Sequence, residues 1–179
     1  MSGHAITHTV FVECHQMYRQ DGPPELRPLG ETEFVNGIAA MSASGAYGPC
    51  HVAHRIVGSA DLLLGADVEC VLQAHLAAAG ERFRGIRFDT AYSEAGLFGF
   101  PANPATRHVM LDARFREGAG VLAAMGLSLD VWCLHGQLGA GKYPTMARAT
   151  ISLIQDAAVR RKASSSPPRV CHLYQLHAS

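Results

Sequence analysis

The chain has 179 residues, enough for one domain with a real hydrophobic core. Apolar side chains make up 48% of it and charged ones 17%, with 15 acidic residues balanced by 15 basic ones. No field of one sign exists to draw in nucleic acid or an anionic membrane, so neither is expected as a partner.

In chain order, Ile6 to Cys14 (ITHTVFVEC) is β-branched and aromatic, which predicts a strand. The stretch MYRQDGPPELRPLG holds three prolines and two glycines and predicts an irregular loop. Glu31 to Ala43 predicts a helix with Phe34, Ile38 and Met41 on one face. A second unit follows, with a strand at Arg55–Ala60 and a helix at Asp67–Ala79. Val68, Val71, Leu72 and Leu76 recur there at helical spacing, and Gly80 ends it. A third has a strand at Phe83–Phe88, a long loop to Met110 and a helix from Asp112 to Met125. Asp112 stands as its N-cap and Gly126 closes it. A fourth strand, Leu127–Leu134, runs into HGQL.

Repeated strand–loop–helix units imply parallel strands joined by right-handed crossovers. The expected fold class is α/β, a partial (β/α) TIM-barrel-like unit of about four parallel strands with flanking helices. A closed barrel takes eight strands and roughly 250 residues, so the expectation is of half a fold whose sheet edges invite self-association. Residues 7–138 form this unit. Residues 139–179 differ in character, with a helix expected around 146–161 and then a disordered tail.

Cys14, Cys50, Cys70, Cys133 and Cys171 are scattered and never form a CxxC pair, which suits a reducing compartment. The N-terminus has no basic region leading into an apolar core, and no run approaches the ~18 consecutive apolar residues of a membrane span. These features predict a cytoplasmic location.

Five stretches carry a resemblance: TVFVECHQMYR, GETEFVNGIAAMSASGAYGP, IVGSADLLLG, RFRGIRFDTAYS and LDARFREGAGVLAAMGLSLDVWCLHGQL. In their order and spacing, Thr7 to Leu138 resembles the amidohydrolase-related family of TIM-barrel hydrolases, particularly its lactonase-like members. The resemblance implies hydrolysis of a small-molecule substrate, a cyclic ester or amide, carboxylated in some cases, by an activated water at the C-terminal ends of the strands. Many members hold a divalent metal, zinc or manganese, through an H-x-H pair on the first strand, while some work without one. No H-x-H occurs in this chain, no metal ligand is assigned, and the family's late-strand catalytic residues have no counterpart. A catalytically inactive fragment or interaction module is therefore the alternative expectation.

His135, in HGQL where the family has H-P-Q-L, is implied as catalytic. Arg87 and Arg84, which bracket Gly85 on strand FRGIRF, and Tyr18 and Arg19, after the first strand, are the substrate-binding candidates. Glu13 lies beside them, with loop packing as its rival role. Cys14 and His15 suggest a nucleophile and base, but neighbours along a strand point to opposite faces. His51 and His54, in PCHVAHR, suggest a metal site but lack a second cluster at ribbon spacing. His75 is expected to be a partly exposed helix residue. Gly136–Lys142 in GQLGAGKY fits G-x-x-x-x-G-K after a strand and offers a further alternative, a nucleotide-binding protein, yet Tyr143 stands where Ser or Thr would bind magnesium.

Overall fold

The computed structural model describes residues 5–97, 100–134, 137 and 149–154. Among these, five strands form one wholly parallel sheet: β1 (His8–Val12), β2 (His51–Ser59), β3 (Phe83–Asp89), β4 (Ser128–Leu134) and β5 (Ala149–Ile154). They lie side by side in chain order. The helices α1 (Leu29–Ala43), α2 (Val68–Ala79) and α3 (Ala113–Ala124) fill the first three crossovers and pack on one another in sequence. This is a curled, half-barrel α/β sheet with flanking helices. Over Ala149–Ile154 the helix expected around 146–161 is replaced by a strand paired with all but the first residue of β4. The β-branched Thr150, Ile151 and Ile154 in ATISLI suit a strand at least as well as a helix, and the edge of β4 supplies the partner.

The core lies between the sheet and the helices. Ile56, Ile86, Leu129, Val131 and Cys133 from the strands meet Val35, Val71, Leu72, Phe115 and Leu122 from the helices. Caps follow the sequence closely. The Asp112 carboxylate accepts the Arg114 N–H at 2.8 Å, and Gly80 and Gly126 adopt φ of 54° and 70° beyond α2 and α3. Leu62–Arg82 is long and apolar enough to cross a membrane by length and composition. It breaks at Gly65 (φ 64°) and buries Leu62, Val68, Val71, Leu72 and His75 inside the fold.

Helix α1 turns its larger apolar side chains outward. Phe34, Ile38 and Met41 are 48%, 37% and 49% exposed, and the buried side carries Leu29, Glu31, Thr32, Val35, Ala39 and Ser42. Asn36 donates to the Ala78 carbonyl of α2 at 2.9 Å. At 100° per residue the Phe34–Ile38–Met41 stripe lies on the far side of the helix from Asn36.

His75 is likewise fully buried, not partly exposed. Its ring stacks on Phe83 at 4.8 Å between centroids. Nε2 donates to the Ser59 carbonyl at 3.1 Å, so Nδ1 accepts from the Thr32 hydroxyl at 2.9 Å. One side chain thus joins α2 to β2, α1 and β3. Gly58 makes room for it: a Cβ there would lie 3.0 Å from the Phe83 ring and 3.1 Å from Thr32 Oγ1.

Burial lowers the His75 pKa from 6.5 to about 4, with the Ser59 carbonyl opposing in part. The unfolded chain therefore takes up this proton near pH 6.5 and the folded chain only near pH 4. Stability is lost as the pH falls through that window, by up to roughly 3 kcal/mol. We expect His75→Gln to be destabilised at pH 7 and to flatten the decline between pH 6.5 and 4, read as the difference between the two urea-unfolding series. An unchanged decline would assign the acid sensitivity to other groups.

Candidate functional site

The parallel order brings the C-terminal ends of the strands to one rim. Beyond β3 and β4 a cleft of about 210 Å³ is lined by Asp89, Leu97, Phe100, Asn103, Thr106 and Trp132, among others. Asp89 closes β3, and its Oδ1 accepts the Ala91 N–H at 2.9 Å. Its carboxyl opens to the cleft, so desolvation is partial. That desolvation still raises its pKa, against the lowering effects of the Ala91 N–H and His15. Gln137 fixes the loops above. Its Oε1 accepts from Tyr92 N and Leu134 N, both at 3.0 Å, and Nε2 donates to Thr90 O at 2.7 Å. The glutamine of HGQL thereby ties the exit of β3 to the exit of β4.

A second polar corner sits where β1 ends. Glu31, in the first turn of α1, is 2% exposed. Its Oε1 accepts from Gln16 N at 2.9 Å, Cys14 N at 3.1 Å and Cys14 Sγ at 3.3 Å. Glu13 is buried beside it with its Oε2 2.9 Å from His15 Nε2, an ion-pair distance without hydrogen-bond alignment. Burial raises the Glu13 pKa, while His15 and Arg87 pull it down. Among the described residues, Glu13 Oε2, Glu31 Oε2 and the Tyr18 hydroxyl are buried without a hydrogen bond, a costly arrangement. Ser59 is near enough to act on the Tyr18 phenol. His15 (φ 59°) and Met17 (φ 55°) hold left-handed backbone in the same loop, so strain and unpaired polarity coincide there.

The substrate-binding candidates separate. Arg87 projects from the middle of β3 and gives both Nε (3.0 Å) and Nη2 (2.8 Å) to Asp130 Oδ2, its register partner on β4. Arg84 is exposed near the start of β3, away from the rim. Gly85, between them, allows a close backbone approach: a Cβ would collide with the Ser128 carbonyl. Tyr18 is half-buried at the Glu13 corner, whereas Arg19 pairs with Glu33 on the surface, Nε to Oε2 being 3.1 Å. His135 and the glycine-rich Gly136–Tyr143 lie outside the described residues, Gln137 excepted. Cys14 and His15 go to different carboxylates, and burial and Glu31 raise the Cys14 thiol pKa, the reverse of nucleophile activation.

Asp89 and Asp130 were not singled out in the sequence. Asp89 was legible as a carboxylate at the C-terminal end of a predicted strand, where barrel side chains reach the pocket. Asp130 needed the register to be recognised as Arg87's partner. Among the described residues no three His, Cys, Asp or Glu side chains converge on one point. With no H-x-H in the sequence, the described residues of the rim do not fit the divalent metal that the resemblance implies. No family model, curated protein or solved structure matches the chain.

The Asp130 side chain is 8% exposed and that of Arg87 23%. Removing the arginine leaves a buried carboxylate without this cation, so Arg87→Ala should lower stability by about 3 kcal/mol in urea titration. Arg87→Lys keeps the charge but loses the paired N–H contacts, and should cost about 1 kcal/mol. A loss below about 0.5 kcal/mol for Arg87→Ala would mean that the pair behaves as a solvent-exposed one.

Proposed function

We propose that this chain contributes the pocket of a (β/α)-barrel hydrolase of the amidohydrolase-related, lactonase-like kind, opening a cyclic ester or amide with an activated water. The observation that carries the reading is Asp89, a carboxyl of raised pKa on the wall of the cleft at the C-terminal ends of β3 and β4. A carboxylate whose pKa is moved toward neutrality is a better general base than an ordinary aspartate. In this mechanism Asp89 takes the proton from water as the water adds to the carbonyl carbon. The ring C–O or C–N bond then breaks, and the proton passes to the departing oxygen or nitrogen. Trp132, Leu97 and Phe100 supply apolar wall for the ring. Arg87 supplies the nearby positive charge, and a carboxylated substrate or the developing oxyanion would share it with Asp130.

The test is lactone and cyclic-amide turnover by the purified chain in EDTA, followed by proton release. Ring opening should be lost by a factor of about 10²–10⁴ in Asp89→Asn. The rate should rise with pH through an ionisation above the ordinary aspartate value. Absence of turnover across the panel, with and without added zinc or manganese, would sink the proposal.

A second reading, a catalytically silent interaction module, draws on the β1 side of the fold. Val10 is 59% exposed on an edge strand among the described residues, and the Phe34–Ile38–Met41 stripe is uncovered. In a complete barrel a further strand and helix would cover both. Light scattering on dilution separates the readings: a self-associating, inactive wild type, made monomeric by Phe34→Glu and Ile38→Lys, favours the module.

A further inference from the structure

Opening a ring leaves a proton to be delivered to the departing atom, and a second acid or base is needed to deliver it. Among the described residues of the cleft lining, Asp89 is the one acid or base. The corner at the end of β1 supplies another. His15 lies just beyond β1 on the same rim, with its side chain 61% exposed. Its Nε2 is 2.9 Å from Oε2 of Glu13, whose side chain is 6% exposed. The Tyr18 ring meets the imidazole at right angles, with centroids 6.0 Å apart. His15 itself takes φ of 59°, backbone that persists in a non-glycine residue only where its surroundings over-determine it. A buried carboxylate on one nitrogen thus orients the imidazole, as in catalytic triads. Nδ1 has no hydrogen bond among the described residues.

Charge links this corner to the cleft. His15 acts on both Glu13 and Asp89, drawing each down against its burial. Only β2 lies between β1 and β3. Neighbouring strands are about 4.8 Å apart, so the ends of β1 and β3 stand roughly 10 Å apart. One ring substrate and two side chains fill such a span. The titratable and charged groups around the Glu13–His15 pair are Cys14 and Tyr18 on the same segment, Glu31 on α1, and Arg87 and Asp89 on β3. Cys14 gives its thiol to Glu31 and Arg87 its N–H groups to Asp130, so neither takes the place of His15 on Glu13.

We propose that His15 is the general acid of the ring-opening reaction, set across β2 from the Asp89 base and positioned by Glu13. The inference rests on the hydrolase reading of the cleft. In the reacting form His15 is the imidazolium and Asp89 the carboxylate. Asp89 takes a proton from water as the water oxygen bonds to the ring carbonyl carbon. When the C–O or C–N bond breaks, its electron pair stays on the departing atom, and His15 Nδ1 gives that atom its proton. The proton on Asp89 then passes through solvent on the open rim to His15. Both groups are restored, and one water has been added across the broken bond.

The test uses the full chain in EDTA and rings of one size that differ in the departing atom: an aryl-fused lactone, an alkyl lactone and a lactam. A phenolate departs without a proton, an alkoxide departs poorly, and an amine must be protonated to leave. For His15→Asn we expect kcat/KM to fall less than about threefold on the aryl-fused lactone and about 10²–10³-fold on the lactam. The fall in wild-type lactam turnover at alkaline pH, where the imidazolium is lost, should disappear with it. Asparagine tolerates left-handed backbone, so this variant should melt as the wild type does. His15→Gly, which also fits that backbone, should regain lactam turnover when imidazole is added. Glu13→Gln should show the same dependence on the departing atom, more weakly, as a positioning residue does. A His15→Asn loss that does not grow with the basicity of the departing atom, or a His15→Gly variant that imidazole does not rescue, overturns this assignment and leaves the hydrolase reading standing. A wild type that opens none of the rings removes both.

Discussion

A parallel strand must begin at the same end of the sheet as its neighbour, so every crossover carries the chain back the full length of the fold. That constraint organises this molecule. It places the ends of β1, β2, β3 and β4 on one rim and their starts on the other. It also lays α1, α2 and α3 side by side over one face of the sheet. The cleft at Asp89, the Glu13 corner and the stacked rings of His8 and His51 are all products of it, since each joins residues from separate elements of the chain. His75 holds the layers in register, because its two ring nitrogens and one ring face are committed to three other elements.

Polar groups enter this interior on two terms. Thr32, His75 and Gln137 are matched donor to acceptor, and they act as fasteners between elements. Glu31 is half matched: one oxygen gathers the backbone at the exit of β1, while the other is buried without a partner. Glu13 Oε2, at ion-pair distance from His15, and the Tyr18 hydroxyl beside it are likewise buried without a hydrogen bond, in a loop that also holds two left-handed non-glycine residues. A fold optimised only for stability would remove such a corner, because each buried unpaired polar atom costs about 1–3 kcal/mol. Its place at the end of β1, on the same rim as the cleft, is what a site of function in a parallel sheet would have.

The sequence predicted the periodic elements well where caps and turns were explicit, as with Asp112 and Gly126 around α3. It misled where two readings shared one period. Helix α1 carries an apolar stripe at Phe34, Ile38 and Met41 and a second, smaller stripe at Val35, Ala39 and Ser42. The larger side chains look like the core, yet the smaller ones lie against the sheet, where close packing of helix on strand favours small volumes. The stretch ATISLI fits a strand or part of a helix, and only the open edge of β4 decides between them. His75 read as a surface residue because histidine in a helix usually is one; its burial depends on Thr32, 43 residues away.

Local chemistry, then, was enough to place the first four strands and the three helices between them to within a few residues, and to say that the strands run parallel. Those features depend on propensities and crossover lengths, which the chain carries within a few residues of each position. Tertiary structure alone decided that Arg87 faces Asp130, that Asp89 borders a cleft, and that His8 joins His51 and His54. Each of these depends on the register between strands, and register follows from how side chains pack across the whole sheet. A bulge in β2 at Ala53 makes the point most sharply, since one alanine in a left-handed conformation changes which histidines can meet.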